Sequence, residues 1–150
     1  MKNLFEPASA SEVKTRLQSL LPDSQRVWGK MSIAQTLAHC AASLEMAVGD
    51  TRPPQMLIGR ILGRIIKPLA LRDDKPMKRN SPTSPNRYVK DERDFEVERR
   101  KVIGLVDRFS MAGPAGVSAH PHSFFGRLTP DEWAILMYKH LDHHLRQFGA

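Results

Sequence analysis

Apolar positions recur along this chain at intervals of three and four, the spacing of one face of an α-helix, and no run alternates as a strand would. Val13, Leu17, Leu20 and Leu21 share one side of a first segment. In a second, Ile33, Leu37, Cys40, Ala41, Leu44 and Val48 make one apolar face, while Met31, Ala38, Ala42 and Met46 make the opposite side apolar as well. A helix apolar nearly all round belongs in the middle of a bundle. A third segment carries Ile58, Ile61, Leu62, Ile65, Ile66 and Leu69 at helical spacing with Arg60, Arg64 and Lys67 opposite, and reads as a basic amphipathic helix.

Local signals place the ends of these elements. Ser9 or Ser11 is positioned to cap the first helix, which Pro22 stops. Ser32 followed by Gln35 has capping-box spacing, and Gly49-Asp50 suits the end of the second helix. Pro53-Pro54 opens the third segment, and the proline-rich, charged stretch from Arg72 to Asn86 predicts a long surface loop. Asp91 to Phe109 predicts a fourth helix, acidic early and basic late as the helix dipole favours. After an irregular stretch from Gly113 to Gly126, Thr129, Pro130 and Glu132 mark the start of a last helix running to about Phe148. The expected fold is all-α, an antiparallel four-helix bundle with an additional short helix, and a length of 150 residues suits one domain over 1–150.

Composition narrows the setting. A single cysteine, Cys40, rules out an internal disulfide and suits a reducing compartment, and its place on an apolar face predicts a small core residue rather than a nucleophile. No stretch is long and apolar enough for a signal peptide or a membrane span, so the expectation is a soluble cytoplasmic protein without membrane contact. The net charge of +7 is concentrated: residues 1–51 hold five basic and five acidic side chains, 52–108 fifteen and eight, and 109–150 three and three. The histidine-bearing ends are therefore neutral, and the middle reads as a solvated basic face. A nucleic-acid binder using Arg60, Arg64, Lys67, Arg99, Arg100 and Lys101 would want aromatic side chains among those charges, and few are there.

The chemistry lies in the histidines. At about 100° per residue, His140 and His144 stand one above the other on one helix face, on the apolar stripe of Trp133, Leu136, Met137, Gln147 and Phe148. Two inward imidazoles need partners for their nitrogens, and a metal ion supplies one to each. His39, midway along the apolar second helix with Gln35 and Met46 on its side, is a candidate third ligand. His143 turns the other way, toward Glu132 and Lys139. His143, Gln147, Gln35 and His122 are candidates for the pocket or for supporting the ligands, with His120 and His122 read as rim or surface. No catalytic residue beyond the metal set is assigned.

Trp28 through His39, together with His120 through Gly126, Leu128 through Trp133 and His140 through Phe148, resembles the DinB/YfiT-like superfamily of metalloenzymes, in one of its branches of unknown function. The resemblance implies a four-helix bundle, often dimeric, with a divalent ion on one histidine of the second helix and a pair on the last, here His39, His140 and His144. Zinc is the expected ion, with nickel, manganese or iron also suited to histidine ligands. Characterised relatives include transferases and isomerases that use low-molecular-weight thiols such as glutathione, mycothiol or bacillithiol, so the expected function is a thiol-dependent reaction on a small electrophile. The alternatives are a non-catalytic bundle tied together by its metal, with His143 or His122 as a fourth ligand, and a basic nucleic-acid or anion binder. A homodimer is expected from the resemblance and from a second apolar strip on the last helix, Ala134, Ile135, Tyr138 and Leu145.

Overall fold

The computed structural model describes residues 1–80 and 88–150. Among them are five α-helices and no strand: α1 (Pro7–Ser19), α2 (Ile33–Ala47), α3 (Leu57–Leu71), α4 (Phe95–Ala112) and α5 (Pro130–Gln147). One turn of 3₁₀ helix, Gly113–Gly116, follows α4.

Both predicted capping boxes are formed. Ser32 Oγ accepts from the Gln35 N–H at 3.2 Å while Gln35 Oε1 accepts from the Ser32 N–H at 2.9 Å. Thr129 and Glu132 repeat the exchange at α5. Each such cap contributes about 1 kcal/mol and fixes the rotational phase with which its helix enters the core. Elsewhere the predicted ends move. α1 begins at Pro7, ahead of both serines, because proline is pre-set for a first helical position; Ser9 is instead buried, its hydroxyl donating to Glu6. α4 starts four residues later than Asp91 because Asp94 is the cap, its carboxylate accepting from the Val97 N–H at 2.8 Å. The loop expectation for 72–86 holds for 72–80, and its remaining residues lie outside those described.

Helices α1, α2, α4 and α5 close a ring of contacts, α2 on α4, α4 on α1, α1 on α5 and α5 on α2. Their shared core contains Val13, Leu17, Leu44, Val106, Phe109 and Trp133, all essentially inaccessible. α2 sits deepest, as its all-round apolar sequence requires, with twelve of its fifteen residues buried. Arg16 and Asp142 tie α1 to α5 at 2.8 Å, and Asp142 also accepts from Arg146 at 2.8 Å. The strip on α5 considered for a dimer interface is spent inside this core: Ala134, Tyr138 and Leu145 are buried and Ile135 packs against it.

α3 stands apart from the ring and touches α5. Gly59 and Gly63 face Phe124, where a Cβ on either would collide with the Phe124 carbonyl, so the glycine spacing serves a close helix–loop approach. The consequence reverses what an amphipathic pattern ordinarily means: the apolar side of α3 faces outward.

Candidate metal centre

His39 projects from the middle of α2 and is 4% exposed; His140 and His144 project toward it from successive turns of α5. The three ring centroids form a nearly equilateral triangle with sides of 4.9, 4.9 and 4.7 Å. One ligand nitrogen from each lies within 4.8 Å of the others. His39 Nε2 and His140 Nε2 are 2.9 Å apart, so both nitrogens already aim at a common point. Nitrogens placed tetrahedrally about one zinc at about 2.1 Å stand roughly 3.4 Å apart, so the set receives a single ion if the His39–His140 pair opens by roughly 0.5 Å and the wider separations close by no more than about 1.5 Å. The donors suit it chemically: a site of three imidazoles, built into an apolar bundle, favours a borderline cation such as zinc.

The third ring is oriented by a chain of two hydrogen bonds. Gln147 Nε2 donates to the Trp28 carbonyl at 2.8 Å, which turns Gln147 Oε1 toward His144 Nδ1, also at 2.8 Å. Only a protonated Nδ1 can donate to that oxygen, so the lone pair of His144 is left on Nε2. Burial, with the neighbouring His39 adding to it, pushes the His144 pKa down to about 3, so at neutral pH the ring is uncharged and its lone pair available. The Gln147 carbonyl accepts from the Val27 N–H at 2.7 Å, which fastens the loop before α2 to the end of α5. Gly29 completes the fit with φ of +85° and its α-carbon packed on the Gln147 amide.

A family profile described as "Protein of unknown function (DUF1569)" matches residues 5–150. The chain belongs to the DUF1569 family. No curated protein and no solved structure matches it. The DUF1569 match takes in all five helices and all three histidines of the cluster.

The other candidate residues of this DUF1569 protein have separate tasks. His143 is outside the three-histidine group; its ring packs between His144 and Trp28, with centroid distances of 5.0 and 5.6 Å, and it hydrogen-bonds the Met77 backbone. Burial lowers its pKa. The expected polar edge on that side is covered, because the chain around 73–79 crosses it: Lys139 is buried with its ammonium on the Asp73 carbonyl at 2.7 Å, and the Arg79 guanidinium lies 4.2 Å over the Trp28 ring. Gln35 is committed to the α2 cap and to the Asp91 carbonyl. His122 is buried rather than on the surface, its Nδ1 accepting from the Phe124 and Phe125 N–H groups and its ring packed on Trp133. His120 meets the Pro53 carbonyl.

Cys40, next in sequence to His39, is buried in the core, and that burial raises its thiol pKa, so it is held as the neutral thiol. With Leu17, Thr36 and His144 it lines a cavity of about 10 Å³, at the lower limit for a single water. That flank of the cluster is packing rather than a substrate chamber. Trp28 and Gly29 are the site residues that residue-by-residue reasoning passed over; the available signal was a glycine in the short loop three residues before the Ser32 cap, a place for a left-handed turn.

Proposed function

We propose that this protein holds one divalent metal ion, zinc by preference, on His39, His140 and His144, and that the ion serves a thiol-dependent transfer or isomerisation on a small electrophile. The observation that carries the reading is the convergence of one nitrogen from each of three histidines, from two helices, within 4.8 Å. A DinB-type four-helix bundle built from α1, α2, α4 and α5 is the fold that accompanies it.

When bound, such an ion supplies a Lewis acid that makes a thiol or water nucleophilic at neutral pH. The chain's own groups prepare the place. His144 offers Nε2 because Gln147 holds the proton on Nδ1, and His39 and His140 present their Nε2 atoms to each other. A purely structural zinc site takes four protein ligands. Among the described residues the group has three: His122 Nδ1 is occupied by two backbone N–H groups, and His143 lies outside the cluster. This favours a site with a position open to substrate over a metal that only ties helices together.

The nucleic-acid reading is weakened by pairing. Lys67 engages Glu132 at 2.9 Å, Arg99 engages Glu96 at 2.8 Å and Lys101 engages Glu45 at 2.7 Å, which leaves those cations partly neutralised within the chain.

The test has two stages. Elemental analysis of tag-free protein is expected to return about one zinc per chain, and a panel of thiols with electrophiles is expected to give turnover that a chelator abolishes and zinc restores. Protein that neither retains nor rebinds a divalent ion would overturn the reading; protein that binds the ion without any turnover would leave the binding and remove the reaction.

A further inference from the structure

The outward face of α3 is unlike the rest of the surface. Leu57, Ile58, Ile61, Leu62, Ile65, Ile66 and Leu69 are between 38% and 76% exposed. At about 100° per residue, Ile58, Ile61, Leu62 and Leu69 all fall within ~60° of Ile65, and the whole apolar arc spans about half the helix. Together these side chains expose on the order of 700 Å², close to the ~800 Å² that each partner contributes to a standard protein interface and above the largest patch of a typical monomer. The seven residues 81–87 include no large aliphatic or aromatic side chain that could cover it.

We propose that a second copy of this chain covers this face, α3 packing on α3 about a two-fold axis near Ile61 and Ile65. Three features select that occupant. Apart from Pro68, the surface is isoleucine and leucine, and it carries no charge, the composition of a core cut in half; an uncharged aliphatic face is complementary to itself. Its side chains form two rows at intervals of four, Leu57-Ile61-Ile65-Leu69 and Ile58-Leu62-Ile66, the ridges that interdigitate in the commonest helix–helix packing. The face is also rigidly presented, because Gly59 and Gly63 seat the helix directly on the Phe124 backbone.

An anionic bilayer fits less well. A helix lying in a membrane surface carries its cations on the side opposite its apolar face and favours Trp or Phe within it. Here glycines against Phe124 occupy much of that opposite side, Lys67 is drawn down to Glu132, and no aromatic residue interrupts the aliphatic rows. Arg64 stands ~100° from Ile65, at the rim of an α3–α3 contact, and Arg60 ~140° away, on the far side of the helix; both are exposed and remain in water.

Sedimentation velocity of the full chain at tens of micromolar is expected to give a dimer, and the double variant I61E/I65E a monomer with unchanged helical circular dichroism and metal content. Because both positions are exposed, the substitutions leave the core alone. Ile65→Cys, placed beside the proposed axis, is expected to form a covalent dimer on mild oxidation, while buried Cys40 does not cross-link the parent. A wild-type chain that sediments as a monomer, or a double variant that remains dimeric, would overturn the proposal. So would wild-type protein that sediments as a monomer and pellets with phosphatidylcholine–phosphatidylglycerol vesicles, with pelleting lost in I61E/I65E, which would assign the face to a bilayer.

Discussion

Gly29 packs its α-carbon on the side-chain amide of Gln147 so closely that a methyl group there would overlap the amide nitrogen. With φ of +85°, Gly29 is also in the region that L-residues avoid. Gly29→Ala should therefore displace Gln147 and release the Nδ1 proton of His144. A neighbour that orients a ligand is worth 10–100-fold in metal affinity. Competition with a chelator of known affinity is expected to show a loss in that range for both Gly29→Ala and Gln147→Leu, with helicity preserved. Gln147→Glu should lose less, since a carboxylate still accepts the proton bond.

Alanine at His39, His140 or His144 is expected to remove the metal, each to less than about a tenth of an ion per chain by elemental analysis, because two imidazoles hold zinc far more weakly than three. His143→Ala should retain most of it, since His143 packs on His144 but lies outside the nitrogen cluster. Full occupancy in the His140 or His144 variant would show that the metal is held elsewhere.

The same burial makes the metal-free protein acid-sensitive. His144 has a folded pKa of about 3 against an ordinary 6.5. Between those values the unfolded chain binds the proton and the folded one does not, so stability is complete above about 6.5 and falls as pH drops toward 3. The slope approaches 1.4 kcal/mol per pH unit, so denaturant unfolding of the metal-free protein at pH 5 should show a loss of about 2 kcal/mol relative to pH 7. His144→Leu should flatten this dependence. An equally steep profile in that variant would assign the acid sensitivity to other groups.

The capping boxes that start α2 and α5, the two helices carrying the histidines, give a control on stability alone. Ser32→Ala and Thr129→Ala should each cost about 1 kcal/mol by thermal or denaturant unfolding, with metal stoichiometry unchanged, because they remove one hydrogen bond at a helix start and no ligand.

What could be read before the structure was known follows from which interactions are local. The starts of α2 and α5 were legible because a capping box is written within four residues, and His140 and His144 because a helical turn places them together. That His39 meets them depends on how α2 and α5 dock, which residue types alone only suggest. α3 was legible as a basic amphipathic helix but not in its orientation, because amphipathicity states that two faces differ, not which one is covered; Gly59 and Gly63 decide it through contact with Phe124, far along the chain. The coverage of Lys139 by the segment near Asp73 was invisible for the same reason.

The contact between His39 and His140 joins positions 101 residues apart. In polymer terms an ion held there would be a reversible cross-link closing a loop of about a hundred residues, and a covalent tie across such a loop removes on the order of 4–5 kcal/mol of chain entropy from the unfolded state. Unlike a disulfide, this tie would open with a chelator and close with the ion. The chain's one cysteine offers no internal covalent substitute, so the cell's supply of metal would set how tightly α2 and α5 are bound into one body.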